Sequence, residues 1–326
     1  FFIYLLKELK SNKFKKKSIA LLVTILFLTT FFTTLFWPYL WENPIINFFE
    51  IIKKLSNFEL YIYNFYLGDY VDVKKLPWHY PLIWQIVTIP IYYTFFFIIG
   101  FSLILVRFYR RIIKITESEQ KNEFWNGDKE LFDLLFLLTF ILPLLAVIFL
   151  NSTMYGGWRH LYFILPSFLI VCIYGIYRLK ISYFKSSKFF LYILTIVLIL
   201  PTFLWMIKNH PNQNLYFNSM AGSNFSKNFE MDYWGLNNYY ALKNIAKNED
   251  KKVSVSQVNT SDLFLSKSFL DKNLRNKITI EDNYIEADYV INNYINWFGK
   301  KKNYEKLLKK DFDIYRELKI DNIVIN

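Results

Sequence analysis

An arginine and a histidine stand side by side at the mouth of an apolar run, in Tyr155-Gly156-Gly157-Trp158-Arg159-His160-Leu161-Tyr162-Phe163-Ile164-Leu165-Pro166. A guanidinium presents paired N–H donors that match a phosphate, and beside lipid it is costly unless something answers it. Helical spacing puts Arg159, Tyr162 or Phe163, and Pro166 on one face, with His160 about 100° away. Arg159 therefore reads either as a snorkelling anchor at a membrane boundary or as a phosphate ligand. A second pair, His79 and Tyr80, sits in "GDYVDVKKLPWHYPLIW" (68–84). Next to Trp78 it suits a phosphate or a sugar, and equally a hydrogen-bonded structural group. Carboxylates occur at Glu42, Glu50, Glu59, Asp69 and Asp72, and again at Glu230 and Asp232 within "FEMDYWG" (229–235). The last two share a face if the chain is extended, which is a weak signal for acid–base chemistry. The amides of "NHPNQNLYFNSMAG" (209–222) suit sugar hydroxyls, or a connector that packs against a bilayer.

Other chemistries are poorly provided for. The single cysteine, Cys172, lies inside an apolar run, so no disulfide or cysteine-based metal site can form within the chain. The three histidines, 79, 160 and 210, are too scattered for a zinc site. The +12 net charge sits in short loops between apolar runs rather than on one soluble face, which argues against nucleic acid as a partner.

The elements that must position these residues are membrane spans. A span needs ~20 apolar residues, or ~17 at the short end. Residues 18–37, 83–106, 131–150, 161–177 and 189–207 are nearly free of charge, giving five spans. Pro90 and Pro143 fall inside them, where a kink is tolerated if neighbours satisfy the freed carbonyls. "FFIYLL" (1–6), followed by "KELKSNKFKKK", reads as the cytoplasmic end of an earlier span, so the chain is expected to be the later part of a longer protein. Basic clusters precede the first full span (Lys7 to Lys17), follow the second (Arg107, Arg110, Arg111, Lys114) and separate the fourth from the fifth (Arg178, Lys180, Lys185, Lys188). Alternating spans put all three on one side, which identifies it as the cytoplasm. The expected setting is thus the plasma (inner) membrane, crossed several times. The 38–82 loop, the short 151–160 loop and everything past about 208 lie outside. Residues 45–55 fit an amphipathic helix on the outer surface. Trp37, Trp41, Trp78, Trp84, Trp158 and Trp205 fall at outer ends, as an aromatic belt would.

After 207 the composition turns polar. "KKVSVSQV" (251–258), "KITI" (277–280), "ADYVIN" (287–292) and "FDIYRELKI" (312–320) read as strands, and 236–247, 260–271 and 302–310 as helices. The expected architecture is mainly α: a polytopic helix bundle over 1–207, with a small C-terminal α/β domain over 208–326 outside the membrane. Asn-x-Ser/Thr triplets at Asn151, Asn224 and Asn259 are weak matches to a glycan acceptor.

"WPYLWENPIINFFE", "LPWHYPLIW", "YGGWRHLYFILP", "HPNQNLYFN" and "DYWG", in this order and at these topological positions, resemble the C-terminal half of bacterial membrane glycosyltransferases related to the dolichyl-phosphate-mannose protein mannosyltransferases. These are GT-C-type enzymes of glycosyltransferase family 39 and its relatives, and the resemblance covers about residues 1–300. It implies sugar transfer outside the cytoplasm, from a polyprenyl-phosphate-linked donor to an acceptor that is a protein, a lipid or a glycan. The family's catalytic carboxylate lies in a first extracytoplasmic loop that has no counterpart here, so no residue is matched to the base and the fragment alone is expected to be inactive. A divalent metal assists some relatives, and no ligand cluster here demands one. Basic side chains stabilise the departing lipid phosphate in such a reaction. The residues assigned to that task are Arg159, with His160 and Tyr162 beside it, and His79 and Tyr80 from the facing loop. The alternatives are a transporter or flippase of lipid-linked saccharides and a non-catalytic membrane scaffold. The absence of ionisable residues in the middle of the spans counts against a transporter.

Overall fold

The structure is a computed structural model that describes residues 16–56, 60–117, 125–182, 188–258, 262–293, 312–320 and 323–325. The basic run 7–15, the apolar start 1–6, the expected helix 302–310, Lys185 and Asn259 lie outside the described residues. The chain is mainly helical and divides into two compact units, Phe1–Glu59 and Leu60–Asn326. The 38–82 loop contributes to both units.

In the first unit, α1 (Lys16–Phe36) ends before Pro38, and a short 3-10 turn (Pro38–Leu40) leads to α2 (Pro44–Ser56). Trp37 is extended, as the residue before a proline prefers. Trp41 donates its indole N–H to the Thr34 carbonyl at 2.9 Å, answering one of the carbonyls orphaned at the end of α1. Tyr39 donates to Glu50 at 3.0 Å, and Asn47 donates to the Tyr39 carbonyl at 2.6 Å. The amphipathic helix expected at 45–55 is α2, and its Ile45, Ile46, Phe49 and Ile52 are exposed.

The second unit begins with a hairpin, β1 (Tyr63–Tyr66) and β2 (Asp69–Asp72). Its two turn residues, Leu67 and Gly68, both have positive φ, which matches the twist of the flanking strands. The span expected over 83–106 is two helices instead. α3 (Tyr80–Thr88) stops, the chain turns extended at Ile89, and α4 (Ile91–Glu117) starts after Pro90. Pro90 has no N–H for the Ile86 carbonyl. Asn218, far along the chain, supplies the missing donor: its side-chain amide reaches the carbonyls of Ile86 (2.7 Å) and Ile89 (2.6 Å), and its backbone N–H reaches Val87 (2.8 Å). Pro143, by contrast, is held within a continuous α5 (Gly127–Phe149).

A 3-10 segment (Arg159–Ile164) runs into α6 (Leu165–Ser182), and α7 (Lys188–Lys208) follows. Among the described residues, three helical stretches are long and apolar enough to cross a membrane, Ile91–Ile113, Gly127–Phe149 and Arg159–Ile181, while Val23–Phe36 and Ile193–Lys208, within the expected spans 18–37 and 189–207, are shorter apolar helices. α4 and α6 cross at Gly100 and Gly175. A Cβ on Gly100 would strike the Val171 carbonyl oxygen, and one on Gly175 the Phe96 carbonyl oxygen. Small residues that bring backbones this close are how helices pack where no hydrophobic effect drives them together. Phe97 stacks on Phe168 at 4.6 Å, and Cys172 donates to the Tyr93 carbonyl. At the other end of these helices, Arg107 pairs with Asp133 (2.9 Å) and Arg111 with Glu130 (3.1 Å), while Arg107 also donates to the Tyr174 hydroxyl.

The expected C-terminal α/β part is present. β3 (Val253–Gln257) lies between β4 (Ile278–Ile280) and β5 (Tyr289–Ile291) in a parallel sheet, covered by α8 (Leu236–Asn248) and α9 (Leu263–Ser268). Leu242, Ala246, Val255, Leu263 and Ile278 form its core. The helix expected over 260–271 is shorter than predicted: α9 stops at Ser268, and α10 (Lys272–Arg275) follows as a separate turn. The strand expected over 312–320 is reduced to β6 (Lys319–Ile320), paired with β7 (Ile323–Val324). Ile314 and Tyr315 upstream are exposed, so the alternating pattern there has no face to bury.

Candidate functional site

The candidate site is built on the two glycines of the opening motif. Gly156 and Gly157 both have positive φ, 60° and 70°. A Cβ on Gly156 would sit 3.2 Å from the Tyr233 ring and 3.3 Å from the Arg159 guanidinium carbon, and one on Gly157 would touch Trp84 at 3.4 Å. The turn therefore needs glycine for conformation and for space. It packs the 155–159 backbone onto α3 below and leaves Arg159 under the segment that follows Phe229.

Residues 159–164 are 3-10 helix rather than the α-helix the spacing suggests. At three residues per turn, Arg159 and Tyr162 eclipse each other, while Leu161 and Ile164 point into the core. Arg159 is half-buried. Its contacts among the described residues are rings, not carboxylates: the guanidinium carbon lies 4.3 Å from the centroid of Tyr155, 4.7 Å from Trp234 and 5.9 Å from Tyr233. Cation–π contacts use the flat faces of the guanidinium and leave its edge, with its N–H donors, in plane. His160 is exposed, with its ring edge-on to Tyr155 at 4.7 Å. Tyr162 is exposed, packs on Trp158 at 4.8 Å and shares a hydrogen bond with Tyr233. Burial, and then the Tyr162 hydroxyl, hold the Tyr233 phenol above its ordinary range.

His79 and Tyr80 take different places. His79 Nδ1 meets the Tyr66 hydroxyl at 2.6 Å. Tyr80 is fully buried; its hydroxyl accepts from Asn64 (3.0 Å) and from the Gly157 N–H. Asn64 also donates to the Met154 carbonyl at 2.9 Å, so one amide ties the hairpin to the loop that carries the glycines. Tyr80 thus supports the floor of the site, and His79 is turned to the hairpin. Trp84 and Trp158, expected in an aromatic belt, are buried instead, with Trp158 donating to Thr88 at 2.9 Å. Trp37, Trp41 and Trp78 are exposed, as a belt requires.

Glu230 and Asp232 are both buried, and each has a structural task. The Glu230 N–H continues the hairpin by donating to the Phe65 carbonyl at 3.0 Å, next to the bridge between Tyr66 and Phe229. Its carboxylate adds to the burial that raises the Tyr80 and Tyr70 hydroxyls. Asp232 accepts the N–H groups of Leu236 (3.1 Å) and Asn237 (3.0 Å) at the start of α8, and burial pushes its carboxyl up to about 6. The residues that spacing did not single out are Tyr155, Tyr233, Trp234, Asn64 and Asn218. Among the described residues, no three His, Cys, Asp or Glu side chains gather in a metal-binding group. No protein-family model, curated protein or solved structure matches this chain.

Proposed function

We propose that this chain belongs to a polytopic membrane glycosyltransferase of GT-C type, which moves a sugar from a polyprenyl-phosphate donor on the extracytoplasmic face. The observation that carries the reading is the meeting of three distant motifs at one helix end. Gly157 of "YGGWRHLYFILP" rests on Trp84 of "LPWHYPLIW", and Tyr233 and Trp234 of "DYWG" close over Arg159. The same end holds the start of α4, through the Trp158–Thr88 hydrogen bond, and the basic residues gather at the opposite end, with Arg107 and Arg111. Basic residues mark the cytoplasmic end of spans, which supports an outer position for Arg159.

In this reading Arg159 receives the carrier phosphate. The three rings restrain the guanidinium, which lowers the cost of fixing it, and its N–H groups are the bidentate donors that a phosphate takes. As the sugar leaves, charge grows on the phosphate oxygens, and fixed donors lower the barrier because they need no reorganisation. His160 and Tyr162 flank Arg159. The carboxylate that deprotonates the acceptor hydroxyl is assigned to none of the residues of this chain.

The test is transfer from polyprenyl-phosphate sugars by the full-length gene product. Arg159→Ala is expected to lower kcat roughly 100-fold, the scale of one lost oxyanion donor, with Arg159→Lys intermediate. Turnover equal to that of the parent protein would end the assignment of Arg159.

A further inference from the structure

A groove of about 380 Å³ opens on the α/β part, between α8, the His210–Asn212 turn and the run that leads into β6. It is lined by Lys243, Lys247, Arg316 and Lys319 together with His210 and Asn212, with no carboxylate among the lining residues. Lys243 and Lys247 are four apart on one face of α8, a like-charged spacing that costs a helix stability unless an anion sits between them. The neighbouring charges do not cancel the set. Glu317 pairs with Lys319 at 2.5 Å, Asp271 acts on Lys243 only at a distance, and Lys243 donates to the Tyr239 hydroxyl at 3.0 Å. Beside the cations, the Asn212 side-chain oxygen is buried with no donor among the described residues. An acceptor left this way is costly, and a ligand hydroxyl would satisfy it. The groove also begins two residues past Lys208, the end of apolar α7, whose Leu204, Met206 and Ile207 are exposed.

We propose that this groove binds a hydroxylated phosphate, the chemistry of a glycerophosphate headgroup: the oxygens go to Lys247, Arg316 and Lys243, and a hydroxyl goes to Asn212. Two sources carry that chemistry, an anionic lipid of the surrounding bilayer and a free polyol phosphate. The inference rests on α7 ending at a membrane surface and not on sugar transfer, and its test reads binding rather than turnover.

The full chain in detergent is compared with its Lys247→Gln/Arg316→Gln variant in two arms. One is retention of dioleoyl phosphatidylglycerol against dioleoyl phosphatidylcholine by native mass spectrometry. The other is calorimetric titration with glycerol 3-phosphate. Lys251→Gln/Lys252→Gln, outside the groove, is the control. Loss of two cations is expected to weaken the favoured ligand roughly 30-fold, with the control unchanged. An effect in the first arm alone assigns the groove to the lipid, and an effect in the second to a free phosphate. Equal binding by parent and variant in both arms overturns the proposal. So does no preference over phosphatidylcholine together with no uptake of glycerol 3-phosphate, or a control that falls as far as the variant.

Discussion

Arg159 finds its partners in rings that sequence spacing could not reveal. Tyr233 and Trp234 lie beyond two further helices in the chain, and only the turn of the 229–235 segment over Gly156 brings them to the guanidinium. The two glycines were legible, because adjacent glycines ahead of an apolar run signal a turn with left-handed backbone. Asp232 was legible only as a carboxylate. Its task, accepting two N–H groups at the start of α8, depends on the Gly235 turn that follows it. That task has a pH signature. Burial raises its folded pKa to about 6 from an ordinary 3.8, so the native state holds this proton more tightly than the unfolded chain. The stability it contributes is complete below 3.8 and is lost as pH rises through about 6, a change of ~3 kcal/mol for a shift of about two units. Asp232→Asn cannot titrate. Thermal unfolding at pH 4 and pH 7 is therefore expected to show the parent losing more stability than the variant over that interval; parallel losses would mean that Asp232 does not titrate there.

At the scale of elements, apolar runs located the long helices α1, α4, α5, α6 and α7, yet the 83–106 run hid a helix end. The 83–106 run is unbroken in hydropathy, and Pro90 alone does not decide between a kink and a stop, as the continuous helix through Pro143 demonstrates. Asn218 decides it: with an outside donor on the Ile86 and Ile89 carbonyls, α3 can end inside the protein without orphaned groups. A long-range donor of this kind leaves no local trace. The α4–α6 crossing is similar, since Gly100 and Gly175 look like incidental glycines in apolar helices until their backbones meet. Gly100→Val would drive two methyls at the Val171 carbonyl. Overpacking of this kind costs about 1–3 kcal/mol, and backbone contact puts this case at the upper end. The expected outcome is a lower unfolding temperature in detergent, with the same substitution at Ile98, which is exposed on the same helix, close to neutral. Equal effects at the two positions would mean that the close crossing does not support the bundle.

At the scale of the whole molecule, charge placement and helix ends agree. The ion pairs Arg107–Asp133 and Arg111–Glu130 gather one end of α4 and α5, and the Tyr174 hydroxyl adds α6 to it. The Trp158–Thr88 contact and the Asn218 bridge gather the opposite end. Positively charged residues at the first end predict that it faces the cytoplasm. The α/β part would then lie outside, because α7 leads into it after Lys208. The single cysteine of this chain, which is buried, makes this testable, since Cys172→Ser keeps a donor for the Tyr93 carbonyl and removes the thiol of this chain. In that background, exposed Ser223→Cys near Asn218 is expected to react with a membrane-impermeant maleimide in intact spheroplasts, whereas exposed Arg110→Cys should react only after the membrane is opened. Reversed labelling would turn the molecule over and remove Arg159 from the outer face. Labelling of both from outside would mean that α4 does not cross the bilayer, and the sugar-transfer reading would fall with it.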